Sequence, residues 1–149
     1  MEKGAILEHI KASRLGKNLG TDIINGLVGM AQAIEFEDGQ AVVTAGDERD
    51  DMYLLVEGQA RVDNTFAGQT RSVAMLKTGD FFGEVGLLGG GKRSSSVIAQ
   101  GAITCLMFPA DNMRDLFAQF PAMKLMLEQA GTQRQTTNLE LHIGEVDDD

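Results

Sequence analysis

Between Ala33 and Phe108 the chain is cut repeatedly by glycine. Gly39, Gly46, Gly58, Gly68 and Gly79 each stand between brief runs of β-branched, aromatic and other apolar residues. Glycine reaches positive φ without steric cost, so these positions read as the joints of tight turns and the runs between them as short strands. The predicted strands are Ala33 to Phe36, Ala41 to Thr44, Met52 to Val56, Gln59 to Val62, Arg71 to Leu76, Ser96 to Ala99 and Ile103 to Phe108. So many strands in so short a stretch predict an antiparallel sandwich or jelly-roll barrel.

The flanks have a different period. Ile6, Leu7 and Ile10, then Ile23, Ile24, Leu27, Val28 and Met30, recur at spacings near three and four, as helices require. Helical spacing returns after Pro109. Pro109 and Pro121 each stand where a helix can begin, and Asp111 falls in a first turn. Met113, Leu116, Phe117 and Phe120 form one apolar face; Met123, Met126, Leu127 and Ala130 form another. The expected fold class is α+β, mainly β: an antiparallel jelly-roll β-barrel flanked by N-terminal and C-terminal helices. Its expected parts are helical residues 1–32, a barrel over 33–108, C-terminal helices over 109–143 and an acidic tail over 144–149.

Charge narrows the range of partners. With 13 Lys and Arg against 22 Asp and Glu, the net charge is −9, which repels polyanions unless basic side chains cluster. Nucleic acid and anionic membranes are therefore not expected partners. No apolar run approaches the ~20 residues that span a bilayer. The single Cys105 lies in an apolar strand and can form no internal disulfide, so the chain reads as cytoplasmic with a small buried thiol.

One segment stands out as an anion cradle: Phe81-Phe82-Gly83-Glu84-Val85-Gly86-Leu87-Leu88-Gly89-Gly90-Gly91-Lys92-Arg93-Ser94-Ser95-Ser96. Gly86 to Lys92 fits the first seven positions of an NTPase phosphate loop. The eighth position, however, is Arg93, where Ser or Thr is needed to ligate magnesium. The following residues also read as strands rather than as the long helix such a loop precedes. A metal-dependent jelly roll needs histidines among its strands, and His9 and His142 both lie in the flanks. No serine has a paired base, so no catalytic residue and no metal ligand is assigned.

The residues instead resemble the cyclic nucleotide-binding domain family. Its phosphate-binding cassette reads Phe-Gly-Glu, a small apolar segment, a loop, then Arg with two small residues and a β-branched strand. Here those are Phe82-Gly83-Glu84, Val85-Gly86-Leu87-Leu88, Gly89 to Lys92, and Arg93-Ser94-Ser95-Ser96-Val97, with Glu84 and Arg93 nine positions apart. The resemblance extends through Gly46-Asp47, Tyr53, Glu57-Gly58 and Gly79-Asp80, and Lys17-Asn18-Leu19 looks most like modules of cyclic nucleotide-dependent protein kinases.

The resemblance implies a regulatory module whose ligand is cAMP or cGMP, bound through Gly83, Glu84, Val85, Gly86, Arg93, Ser94 and Ser95. A guanidinium can meet the exocyclic oxygens of a cyclic phosphodiester with two aligned donors, a role for Arg93. Glu84 would repel the phosphate but suits a ribose hydroxyl as a pure acceptor. Gly83 lets the backbone approach, one helical turn over Glu84 to Leu88 would aim N–H groups at the phosphate, and Ser94 and Ser95 can add donors. The sequence departs from the family pattern at Lys92, where many members have Pro, and at Gly86, where Ala is usual. A hydroxyl directly after the Arg accompanies cGMP binding in many members, yet Val73-Ala74-Met75 lacks the basic residue some cGMP-selective members place there, so base preference stays open. Met126, Leu127 and Arg134 are candidates to cover the base, and Leu87 and Leu88 to act as levers against Leu116 or Phe117. The implied partner is an effector domain or catalytic subunit outside this chain. A second reading is a fold-mate that binds no nucleotide and serves as an interaction scaffold.

Overall fold

The structure is a computed structural model that describes residues 1–47, 50–89 and 95–129. Arg93, Ser94, Ala130, Arg134 and the expected acidic tail lie outside the described residues.

Helix α1 (Lys3–Ala12) buries Ile6 and Ile10, four residues apart, on one side. It stops at Ser13, whose buried hydroxyl donates to the Ile10 carbonyl at 2.6 Å and accepts the Gly16 N–H at 3.1 Å. These bonds satisfy backbone groups that the helix end leaves without partners. A single 3-10 turn (Gly16–Asn18) leads to α2 (Thr21–Met30), which buries Ile24 and Leu27. On the far side of the sheet sequence, α4 (Ala110–Gln119) begins after Pro109, and its first N–H donates to Asp51 Oδ1 at 2.9 Å. A further helix, α5, has its described part over 121–129 and starts at Pro121. Both prolines thus stand at helix starts, where the missing N–H costs nothing.

Among the described residues, six antiparallel strands separate these helices: β1 (Gln32–Phe36), β2 (Ala41–Val43), β3 (Met52–Phe66), β4 (Gln69–Leu76), β5 (Phe81–Phe82) and β6 (Ser96–Phe108). The helix α3 (Glu84–Gly89) lies between β5 and β6. The hydrogen-bonded order is β1-β6-β3-β4, with β2 also on β6 and β5 also on β3. The sheet bends in jelly-roll fashion, but this ladder does not close on itself as the expected barrel would.

Two pairs of predicted strands prove to be single ones. Met52 to Val56 and Gln59 to Val62 merge into β3 across Gly58, where φ is 95° and the register with β6 shifts between Leu55 and Glu57 and again between Glu57 and Gln59. Ser96 to Ala99 and Ile103 to Phe108 merge into β6 across Gly101 in the same manner. A glycine at positive φ can bend a strand at a bulge without ending its ladder, which a turn-based reading of sequence does not distinguish from a turn. The two-residue strand β5 was too short to read.

The alternation of side chains along these strands divides the interior into two cores. Met52, Leu54 and Val56 on β3, Phe81 on β5, and Leu106 and Phe108 on β6 face a cluster completed by the helices through Ile10, Leu27, Met113 and Met123. Their neighbours Tyr53, Leu55, Phe82, Ile103 and Cys105 face the other way, into a cluster with Val43, Ala60, Leu76 and Val97. The sheet is therefore buried on both faces, and each side chain's address follows from period two. Tyr53 and Phe82, paired across strands, stack with ring centroids 5.3 Å apart. Burial pushes the Cys105 thiol up to about 12, which keeps it protonated and unreactive at neutral pH, as its place in an apolar strand led us to expect.

Two glycine tests follow. A Cβ on Gly58 would lie 2.7 Å from the Ile103 side chain and 2.8 Å from the Ala102 carbonyl oxygen, whereas one on Gly39, also at positive φ, would meet nothing within 4 Å. Thermal denaturation should show Gly58→Ala losing roughly 2–4 kcal/mol and Gly39→Ala only about 1 kcal/mol, since the second carries backbone strain without a clash. The hairpin joining β3 to β4 turns at Ala67 and Gly68, with Ala67 held at φ 53°. Ala67→Gly removes that left-handed strain and should raise stability by up to about 1 kcal/mol in the same measurement.

Candidate functional site

The segment singled out in the sequence is suspended between the two longest strands. Phe82, at its upstream side, pairs with Tyr53 near the start of β3; Ser96, at its downstream side, pairs with Asp63 near the end of β3. Gly83 follows at φ 86°, a conformation that side chains disfavour, and it turns the chain from β5 into α3.

The strand leading into the segment is pinned from two sides. The Asp80 carbonyl accepts the Leu55 N–H at 2.9 Å, the Gly79 N–H donates to the Leu55 carbonyl at 2.8 Å, and Asp80 Oδ2 accepts the Lys77 N–H at 2.9 Å. From the other side, the Arg14 N–H donates to the Gly79 carbonyl at 3.1 Å, and its guanidinium lies 3.3 Å from Asp80 Oδ1. The guanidinium is largely exposed, so solvent screens this ion pair and the backbone bonds carry most of the attachment. The segment that follows α1 is thereby joined to the strand that feeds Gly83.

Helix α3 spans six residues and contains Glu84, Val85 and Gly86. Glu84 is only 1% exposed, so a carboxylate is held inside the protein directly after the positive-φ glycine. Burying a charged or polar group is costly, and polar partners offset that cost. Leu87 is buried in the helical core that also holds Leu116 and Phe117, and Leu88 packs against that cluster. The expected levers therefore share a core with the C-terminal helices they were expected to meet.

At the downstream end, the Ser95 hydroxyl donates to Asn64 Oδ1 on β3, and Ser96 Oγ accepts the Ala45 N–H at 2.8 Å. Beside them Asp63 accepts from Ser72 Oγ at 2.7 Å and from Arg61 Nε at 3.0 Å. In this arrangement the Ser95 proton points at β3, and its one hydroxyl donor is thereby used. Arg93 and Ser94 lie outside the described residues. Of the expected lid residues, Met126 is half-buried and Leu127 buried, and both line a small cavity of about 80 Å³ with Arg14, Leu15, Phe81 and Met123. Leu127 is thus committed to the helical core. A wider concavity of about 730 Å³ lies elsewhere, walled by Glu35, Glu37 and Glu57 beside Phe36 and Thr104; three carboxylates make it hostile to a phosphate. Sequence reading missed Asn64, Asp80 and Arg14 as anchors. Asp80 stood in a turn pair that was read as a joint, while Asn64 gave no local signal because its partner is 31 positions away.

Comparison with known proteins addresses the family and the fold. The sequence model of the cyclic nucleotide-binding domain matches residues 33–120. A cAMP-dependent protein kinase regulatory subunit from Mucor circinelloides f. lusitanicus is 38% identical over 74 residues, which is 50% of this chain and 17% of that protein. Its counterpart from Mycosarcoma maydis is 38% identical over 68 residues, 46% of this chain and 13% of that protein. The chain therefore spans a small part of the length of these relatives. Among solved structures, the regulatory domain of Toxoplasma gondii PKA with cAMP superposes with a TM-score of 0.81 at 20% identity, covering 88% of this chain and 50% of that one. A cyclic nucleotide-binding domain from Methylobacillus flagellatus gives 0.79 at 21% identity over 96% of this chain and 83% of its own. The helix-flanked antiparallel sheet is the fold of these structures, and with more than half its length matched by the family's sequence model, this chain belongs to the cyclic nucleotide-binding domain family.

Proposed function

We propose that this chain is a regulatory module that binds one cyclic nucleotide across the cassette from Gly83 to Ser95 and makes or breaks no covalent bond. The observation that carries the reading is Glu84, a carboxylate 1% exposed and set directly after a glycine at positive φ, in the cassette of a chain that belongs to this family. A buried acceptor with no metal-binding cluster around it among the described residues suits a ribose hydroxyl. The single charge of the cyclic phosphodiester falls to the Arg93 guanidinium, aided by backbone N–H groups of Gly83, Val85, Gly86 and Ser95 and by the Ser94 hydroxyl, since the Ser95 hydroxyl proton is already given to Asn64. Because the molecule as a whole carries −9, the attraction for the phosphate must come from short-range contacts and not from the overall field.

cAMP is the first ligand to consider, since the curated relatives are named as regulatory subunits of cAMP-dependent kinases and the Toxoplasma structure contains cAMP. cGMP is the comparison. Binding is proposed to be read out through α3. Leu87 and Leu88 join the cassette to the core formed with α4 and α5, so a ligand that draws Glu84 and the backbone of α3 inward also biases those helices. A ligand shifts such an equilibrium only by its difference in affinity for the two arrangements. The beneficiary is an effector, by analogy a kinase catalytic subunit, outside this segment.

Isothermal titration calorimetry with cAMP, cGMP and noncyclic AMP tests the proposal. The expected result is saturable binding of at least one cyclic nucleotide and little of AMP, whose extra charge and open geometry do not suit a single guanidinium. Arg93→Ala should weaken binding by roughly thirtyfold to several thousandfold, the cost of leaving a sheltered anion without its partner. Glu84→Gln should weaken it by about tenfold to a hundredfold, the worth of a charge-assisted hydrogen bond. Heat with neither cyclic nucleotide would favour a scaffold role.

A further inference from the structure

We infer that Asn64 is a positioning residue of the cassette: by accepting the Ser95 hydroxyl it fixes the downstream end of the segment that meets the nucleotide, an inference that rests on the function proposed above. Asn64 and Ser95 are distant in sequence and meet because β3 and β6 stay paired as far as Asp63 and Ser96. Along β3, Ala60 and Val62 turn toward the inner cluster of Tyr53, Phe82 and Val97. Period two gives Asn64 the same side, while Arg61 and Asp63 turn to the other and bond to one another. A half-buried amide at the end of an otherwise apolar face has no packing advantage there, and a hydrogen-bond partner is what makes its burial tolerable.

The neighbouring bond gives this contact its meaning. Ser96 Oγ accepts the Ala45 N–H, so two consecutive serines are tied to the two strands that flank β6, one to β3 and one to the turn after β2. Backbone pairing of β6 begins only at Ser96, so side-chain bonds take over where the ladder stops. Ser95 is two residues from Arg93, and one residue spans at most about 3.6 Å, so fixing Ser95 limits how far the end of the cassette strays from β3. A Ser95 already fixed in place costs no further conformational entropy when a nucleotide binds. The tether thus acts on affinity through Ser95, without a contact between Asn64 and the ligand.

A double-mutant cycle decides this. Asn64→Ala and Ser95→Ala should each weaken cyclic nucleotide binding by roughly two- to tenfold, the range of a single net hydrogen bond, and the double variant should be no weaker than either alone. Asn64→Asp keeps an oxygen for Ser95 but places a charge beside an anion site; it should bind weakly at low salt and recover toward the parent at high salt, where Asn64→Ala stays weak. A general loss of fold would show neither the coupling nor the rescue. Amide hydrogen exchange at Ser95 to Val97 in the ligand-free chain supplies the second arm and should quicken in Asn64→Ala. Unchanged exchange there, additive losses in the cycle, or Asn64→Ala binding as the parent does would each overturn the tether. Absence of nucleotide binding in the parent together with faster exchange in Asn64→Ala would instead place the failure in the proposed function, leaving the tether in place as a feature of the fold.

Discussion

The antiparallel pairing of β3 with β6 is the interaction on which the rest of the molecule depends. From Met52 opposite Phe108 to Asp63 opposite Ser96, it runs nearly the length of both strands, and every other strand hangs from one of the two. Because the paired strands are buried on both faces, a shift of one residue would exchange Leu54 and Leu106 with Leu55 and Cys105 and disrupt both cores at once. That double penalty fixes the register. The cassette inherits the precision, since its flanking residues Phe82 and Ser96 are themselves members of the β3 ladder.

The same two-sided burial gives the cassette its mechanical position. Its leading strand sends Phe81 to the helical core and Phe82 to the inner one, and α3 returns Leu87 to the helical side. The residue Leu87 of α3 therefore shares a core with α4 and α5, while Phe82, just before it, is packed in the inner cluster. Arg14 and Asp80 add a connection from the N-terminal helices to the same strand. The carboxylates of Glu35, Glu37 and Glu57 line a concavity of their own, so the repulsion they exert on an anion is centred there.

Much of this was legible in the sequence, and for identifiable reasons. Periodicity located the flanking helices because Ile6 and Ile10, or Met113 and Leu116, must share a face to be buried. Glycines marked the bends because few other residues occupy positive φ. The family was legible because the residue types from Phe82 to Val97, at their spacing, match its cassette, and the family's sequence model matches residues 33–120; the binding role of each residue belongs to the proposal. What sequence could not supply was whether a bend ends a strand: Gly58 and Gly101 look like turn glycines but sit inside continuous ladders, where partner strands decide the outcome. Nor could it bring Asn64 to Ser95 or Asp51 to Ala110, contacts that exist only once the sheet has folded.

The most direct test of the account is a crystal structure grown with saturating cAMP. The account predicts one nucleotide seated along the cassette, with the Glu84 carboxylate on a ribose hydroxyl and the Arg93 guanidinium on the phosphate. A cassette left vacant at saturation with cAMP and equally with cGMP, or a nucleotide bound instead in the acidic concavity beside Glu35 and Glu57, would contradict it.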